Sequence, residues 1–159
     1  MQVQVSTHVV SPISVVFTYL TDTDKLKQWQ TFLVEAEQLS PGEVGVGSKF
    51  RNVLSHPGFG SYGILTLEII GEVLIFEPDK QIKLKGTSNI ADLIIDYKLS
   101  QDGGKTLVQQ TTDFNTKSWM MLPISDMLGG FLTEQFNADL QHHPTFSIEI
   151  ALPKLLQSH

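Results

Sequence analysis

Four polar side chains interrupt otherwise apolar, strand-like stretches: Arg51, Tyr62, Tyr97 and Asp113. Arginine and tyrosine donate hydrogen bonds to a ligand oxygen, and an aspartate can take up a proton. A mostly apolar pocket needs a few such groups to orient what it binds. Whether they share one face is not given by spacing, because a one-residue slip in strand phase turns every side chain to the other side. Trp29, Trp119, Met120 and Phe131 are candidates of another kind. The last three belong to a soft stripe with Met121, Met127 and Phe136, at helical spacing. Methionine adapts to varied shapes, which suits a pocket lining and also suits ordinary core.

Other patterns carry less. Gly42 to Lys49 is glycine-rich but ends Ser-Lys and leads into a strand. A phosphate loop ends Gly-Lys-Ser/Thr and opens a helix, so this is a turn. His142 and His143 are adjacent and would diverge by about 100° on a helix, so they do not share a metal. His8 and His56 lie in unrelated segments, and no His-Glu-x-x-His occurs. No serine sits in a nucleophile motif. The carboxylates Asp22 and Asp24 suit the start of a helix better than acid–base chemistry. No metal or cofactor is expected.

The 159 residues favour a single domain spanning 1–159, and 41% hydrophobic against 18% charged residues is an ordinary globular balance. A net charge of −6 argues against nucleic acid, whose phosphates need clustered Lys and Arg. Cysteine is absent, which excludes disulfides and thiolate chemistry. The alternating start Met1 to Thr7 is unlike a secretory signal. No stretch approaches the roughly 20 apolar residues of a membrane span. A cytoplasmic protein is the expectation, as monomer or dimer.

Several elements must position the candidates. Val3, Val5 and Val9 or Val10 predict a first strand. Ser11-Pro12 predicts a helix start, with Ser11 as cap and Pro12 in the first turn. Ile13, Val16, Phe17 and Leu20 follow at helical spacing. Asp22 or Thr23 can cap a second helix carrying Leu26 and Trp29. Strands are expected over Phe32 to Leu39, Lys49 to Leu54, Tyr62 to Phe76 with a bend at Gly71, Ile82 to Gly86, Ala91 to Leu99 and Lys105 to Asn115. His56 to Gly60 reads as a loop, and Gln101 to Gly104 as a tight hairpin. The period then changes to that of a long helix, with Pro123 near its start. Pro144, at about 3 kcal/mol in a helix interior, predicts a break near His143. A shorter apolar element should follow from Phe146 to Leu156, interrupted by Pro153.

In order along the chain, the following residues resemble the START-like helix-grip superfamily, in particular its polyketide cyclase/dehydrase-type (SRPBCC) branch. They are Val9-Val10-Ser11-Pro12 before Val16-Phe17, then Leu26 with Trp29 and Gly45-Val46-Gly47-Ser48. Val73 with Glu77-Pro78 and Ile82, and Asp102 to Thr106 before Val108, complete the set with the terminal helix. Each motif is weak alone; their order and spacing together are specific for a fold. The resemblance implies an α+β helix-grip fold, a curved antiparallel sheet of about seven strands around a long C-terminal helix, with two short helices after the first strand. It implies a pocket between sheet and helix for a small apolar ligand such as a lipid, polyketide or quinone, with Trp29 near the end closed by the small helices. The function expected is binding or transport of such a molecule without catalysis. An alternative from the same resemblance is a cyclase, aromatase or dehydratase. Arg51, Tyr62 or Tyr97 would then polarise a carbonyl and Asp113 act as base, which requires at least two of these side chains to converge. A co-chaperone-like partner-binding domain is a further alternative. Pro144 and Pro153 depart from the family's straight terminal helix.

Overall fold

The computed structural model describes residues 2–30, 33–57, 64–117 and 148–150. They form β1 (Gln2–Val9), α1 (Ile13–Thr21), α2 (Thr23–Trp29), β2 (Leu33–Gln38), β3 (Lys49–Pro57), β4 (Ile64–Glu77), β5 (Gln81–Thr87), β6 (Ala91–Asp102), β7 (Lys105–Thr116) and β8 (Ile148–Ile150). The strands make one sheet in the order β2-β3-β4-β5-β6-β7-β1-β8, and every neighbouring pair is antiparallel. This is the expected α+β helix-grip class. The predicted C-terminal helix and the break near His143 lie outside the described residues. Within the apolar element expected from Phe146 to Leu156, Ile148–Ile150 forms a strand paired with Thr7 to Val9.

From β2 to β7 the chain is a meander, so each strand lies beside the next. The connection from β1 to β2 is different, because these strands lie at opposite sides of the sheet. α1 and α2 make that crossing, and they bury one face of the sheet as they do so. Val16, Phe17, Tyr19, Leu20 and Trp29 share a core with Val5, Val9, Phe50, Val73, Ile82, Tyr97, Leu99 and Val108. Phe17 meets Phe76 edge to face at 5.5 Å between ring centroids, a geometry worth about 0.5–1.5 kcal/mol beyond its area.

α1 begins differently from the expectation. Pro12, with φ −58 and ψ 144, occupies the cap position rather than the first turn, and no side chain caps the helix. The Ser11 carbonyl accepts the Thr106 hydroxyl at 2.8 Å in the interior, which ties the entry to α1 to β7. α2 matches its expectation. The Asp22 carboxylate accepts the N–H groups of Asp24 and Lys25, both at 3.0 Å, which neutralises two orphan donors of the first turn.

Two further expectations are corrected. β3 continues through His56 and Pro57, which pair with Leu65 and Ile64, so the strand runs past the first of the breakers. In β4 the register shift falls between Val73 and Ile75, not at Gly71. Gly71 instead sits directly opposite Gly86. A Cβ on Gly86 would lie 2.8 Å from Leu93 Cδ1 and 2.9 Å from Ile69 Cγ2. Glycine is needed there because neighbouring side chains fold over its backbone. The Pro78-Asp79 turn is as read, closed by Lys80 N–H to the Glu77 carbonyl at 3.0 Å, with Asp79 at φ 61. Among the described residues, no helix is long and apolar enough to cross a membrane.

Candidate functional site: the inner face of the sheet

Opposed residues of an antiparallel pair point to the same side, so the registers divide the sheet into two faces. The face against α1 and α2 carries Val3, Val5, Thr7 and Val9 of β1, and Val108, Gln110, Thr112 and Phe114 of β7. Leu93, Ile95, Tyr97 and Leu99 follow on β6, and Ile82, Leu84 and Gly86 on β5. Leu67, Ile69, Gly71 and Val73 of β4 meet Phe50, Asn52 and Leu54 of β3 to close it.

Charge is sorted completely between the two faces. In β1 to β7, among the described residues, no Lys, Arg, Asp or Glu lies on the inner face. Lys83, Lys85, Asp96 and Lys98 of the central strands all point outward. Among the described residues, the inner face of the sheet therefore carries no carboxylate, ammonium or guanidinium group.

Burial is graded along this face. Under the two helices Val9 and Val108 are 0% exposed, Val73 1% and Ile82 2%. Further along, Val3, Leu84 and Ile95 are only partly buried, as are Leu67, Ile69, Asn52 and Gln110. Leu84 and Ile95 belong to the central strands, where covering layers normally exclude water completely. Among the described residues, α1 and α2 seal one end of the face, and no helix lies over its middle.

The predicted residues separate accordingly. Trp29 is 4% exposed; its indole N–H donates to the Tyr19 carbonyl at 2.8 Å. It closes the helical end of the inner face. Tyr97 is on the inner face, 7% exposed, between Ile82 and Gln110 in the registers. Arg51 faces outward, flanked by Glu35 at 2.7 Å and Glu68 at 2.8 Å, with a third of its side chain exposed. Those two carboxylates, the Glu35 hydrogen bond foremost, raise its pKa above the ordinary arginine value. Asp113 also faces outward and accepts Gln2 Nε2 at 3.4 Å. Tyr62, Trp119, Met120 and Phe131 lie outside the described residues. Of the four polar candidates, Tyr97 alone is placed inside among the described residues. The convergence that carbonyl chemistry would need is not formed by Arg51 and Asp113.

Sequence reasoning passed over two carboxamides. Asn52 Oδ1 and Gln110 Oε1 are buried without a hydrogen-bond partner. Gln110 spends its amide group on the Thr112 hydroxyl at 3.0 Å. The signal that marks them is register: Gln110 sits directly across from Tyr97 and Val5, and Asn52 is two residues from Phe50 on the same strand.

A separate depression on the outside is lined by His8, Val10, Asp102, Gly103, Gly104 and Lys105. His8 Nε2 and Asp102 Oδ2 are 2.9 Å apart there. It is open, and it lies on the opposite side of β1 from the apolar interior.

No family model and no curated protein matches the chain. Solved structures do. A START superfamily protein from Mycobacterium smegmatis superposes with a TM-score of 0.74 at 17% identity, over 88% of this chain and 94% of that one. Ara h 8.0201 gives 0.65 at 14% identity, over 87% and 94%. CalU16 from Micromonospora echinospora gives 0.57 at 15% identity, over 98% and 79%. At such identities the likeness is one of fold.

Proposed function

We propose that this chain, which has the START-like helix-grip fold, binds a small and mainly apolar molecule against the inner face of its sheet. The observation that carries the reading is the burial gradient. Leu84 and Ile95, central and inward, keep solvent access while Val73 and Ile82 beside them lose it. Large apolar side chains left partly exposed in an interior position gain about 25 cal/mol for every Å² that a ligand covers. The uncharged lining supports an apolar occupant, and the fold is one whose interior is open to such use. Fold likeness by itself does not choose an activity.

The reading is one of binding or carriage. A cyclase-type reaction would call on a cation or a base beside the ligand, and Arg51 and Asp113 are on the outside. The test is titration with phenylnaphthylamine, a neutral dye that brightens in apolar surroundings, together with native mass spectrometry after gentle purification. Saturable brightening, displaced by apolar competitors, is expected. A dye signal that rises linearly without saturation, with no co-purifying species, overturns the reading.

A further inference from the structure

We infer that the uncovered part of the β1 edge pairs with the same strand of a second copy of this chain, antiparallel and centred on Gln4, so that two sheets join into one. β8 lies beside β1 only from Thr7 to Val9. Among the described residues nothing pairs with Gln2 to Ser6 on that side. Such an edge offers a row of backbone donors and acceptors to another strand.

The ladder fixes which groups are offered. Gly103-Gly104 is a two-residue turn closed by Asp102 opposite Lys105, and a closing pair of that kind exchanges both backbone bonds. Bonding then alternates, without a register shift, through β7 into β1. Val3 and Val5 therefore spend their backbone groups on β7. Gln2, Gln4 and Ser6 direct theirs to the open edge. A second β1 set antiparallel about Gln4 places Gln2 opposite Ser6 and Gln4 opposite its own copy, which makes about six backbone hydrogen bonds.

The side chains suit this self-pairing. On the outer face Gln4 meets Gln4 and Gln2 meets Ser6, neutral groups that can hydrogen-bond to one another. On the inner face Val3 meets Val5, and Val3 is only partly buried in the single chain. Gln2 to Ser6 contains no lysine, proline or carboxylate, the residues that normally keep sheet edges apart.

Two competing arrangements fit less well. β2 is the opposite edge of the sheet. Pairing it with its own copy about Ala36 would set Glu35 against Glu37, both exposed, with like charges directly opposed. The chain's own tail meets a different obstacle. Carrying the β8 register past Ile150 would bring Pro153 opposite Gln4. An N–H is required at that position, and proline has none.

The experiment is sedimentation equilibrium of the whole chain, loaded from micromolar to near-millimolar concentration, because a contact made by one short strand is a weak one. The mass should rise with concentration from that of one chain towards that of two. Gln4→Lys and Gln4→Glu then place like charges face to face across the two-fold axis. Gln4 is exposed in the single chain, so neither change disturbs the core. Each variant alone should dimerise about fivefold more weakly than the native chain. An equal mixture of the two should recover the native affinity or exceed it. The mass of a single chain at every concentration overturns the inference. So does a dimer that both variants leave unchanged, since its interface would lie elsewhere, and so does a mixture no tighter than either variant alone.

Discussion

The indole N–H of Trp29 donates to the backbone carbonyl of Tyr19 at 2.8 Å. Tyr19 lies in the last turn of α1, whose carbonyls have no partner further along the helix. A side chain from α2 therefore caps α1, and the two short helices become one rigid closure at the end of the sheet. This explains how nine- and seven-residue helices, too short to persist alone, can seal the interior.

Trp29→Phe keeps an aromatic ring and deletes only the donor. One hydrogen bond to the Tyr19 carbonyl is lost, which costs about 0.5–1.5 kcal/mol. Urea unfolding followed by circular dichroism should show a lower midpoint with an unchanged slope. An unchanged midpoint would mean that the indole bond contributes nothing to the closure.

Gly86→Ala should destabilise by about 1–3 kcal/mol, because the added methyl enters space held by Leu93 and Ile69. Leu93→Ala alone should cost about 2–5 kcal/mol through the cavity it leaves. Combining them should cost less than the sum, since each relieves the other's defect. Additive losses in a double-mutant cycle would show that the close approach is not what fixes glycine at this position.

Helix and strand order was legible because periodicity and turn residues agree locally: Asp22 caps, Pro78-Asp79 turns, and Gly103-Gly104 joins β6 to β7. Strand phase was not. In Lys49-Phe50-Arg51-Asn52-Val53-Leu54 both Val53 and Leu54 are apolar, so Arg51 fits either face by pattern. The structure turns Val53 outward, where it is buried between the opposed Glu35 and Glu68. Gln109-Gln110-Thr111-Thr112 is equally balanced and hides the phase of Asp113. Gly71 gave a false signal for the same reason: its place opposite Gly86 is a property of two strands, and one strand's sequence does not contain it. Ser11 reads locally as a cap, but what its backbone carbonyl is bonded to, the Thr106 hydroxyl, is distant in sequence.

Thr106→Val tests that long-range bond. Thr106 is 0% exposed and donates its hydroxyl to the Ser11 carbonyl at 2.8 Å. Valine has the same shape, so packing is kept and a buried carbonyl is stranded. A loss of about 1–3 kcal/mol is expected, with Thr106→Ser retaining most of the stability. If valine is tolerated as well as serine, the bond does not anchor the entry to α1.

Arg51→Gln and Asp113→Asn separate a binding interior from a catalytic one. Both native side chains face outward; Arg51 is occupied by Glu35 and Glu68, and Asp113 by Gln2. Their removal should leave phenylnaphthylamine affinity unchanged, because neither reaches the inner face. Arg51→Gln should lower stability slightly and less so in high salt, since the ion pairs lost are exposed and screened. Tyr97→Phe is the contrasting case. Tyr97 is buried opposite Gln110 and Ile82, so deleting its hydroxyl alters the polar character of the interior itself. Dye affinity or the ranking of apolar competitors should change there while the outward variants remain at the native value. A large loss of binding in Arg51→Gln, with Tyr97→Phe unaffected, would relocate the site to the outer face.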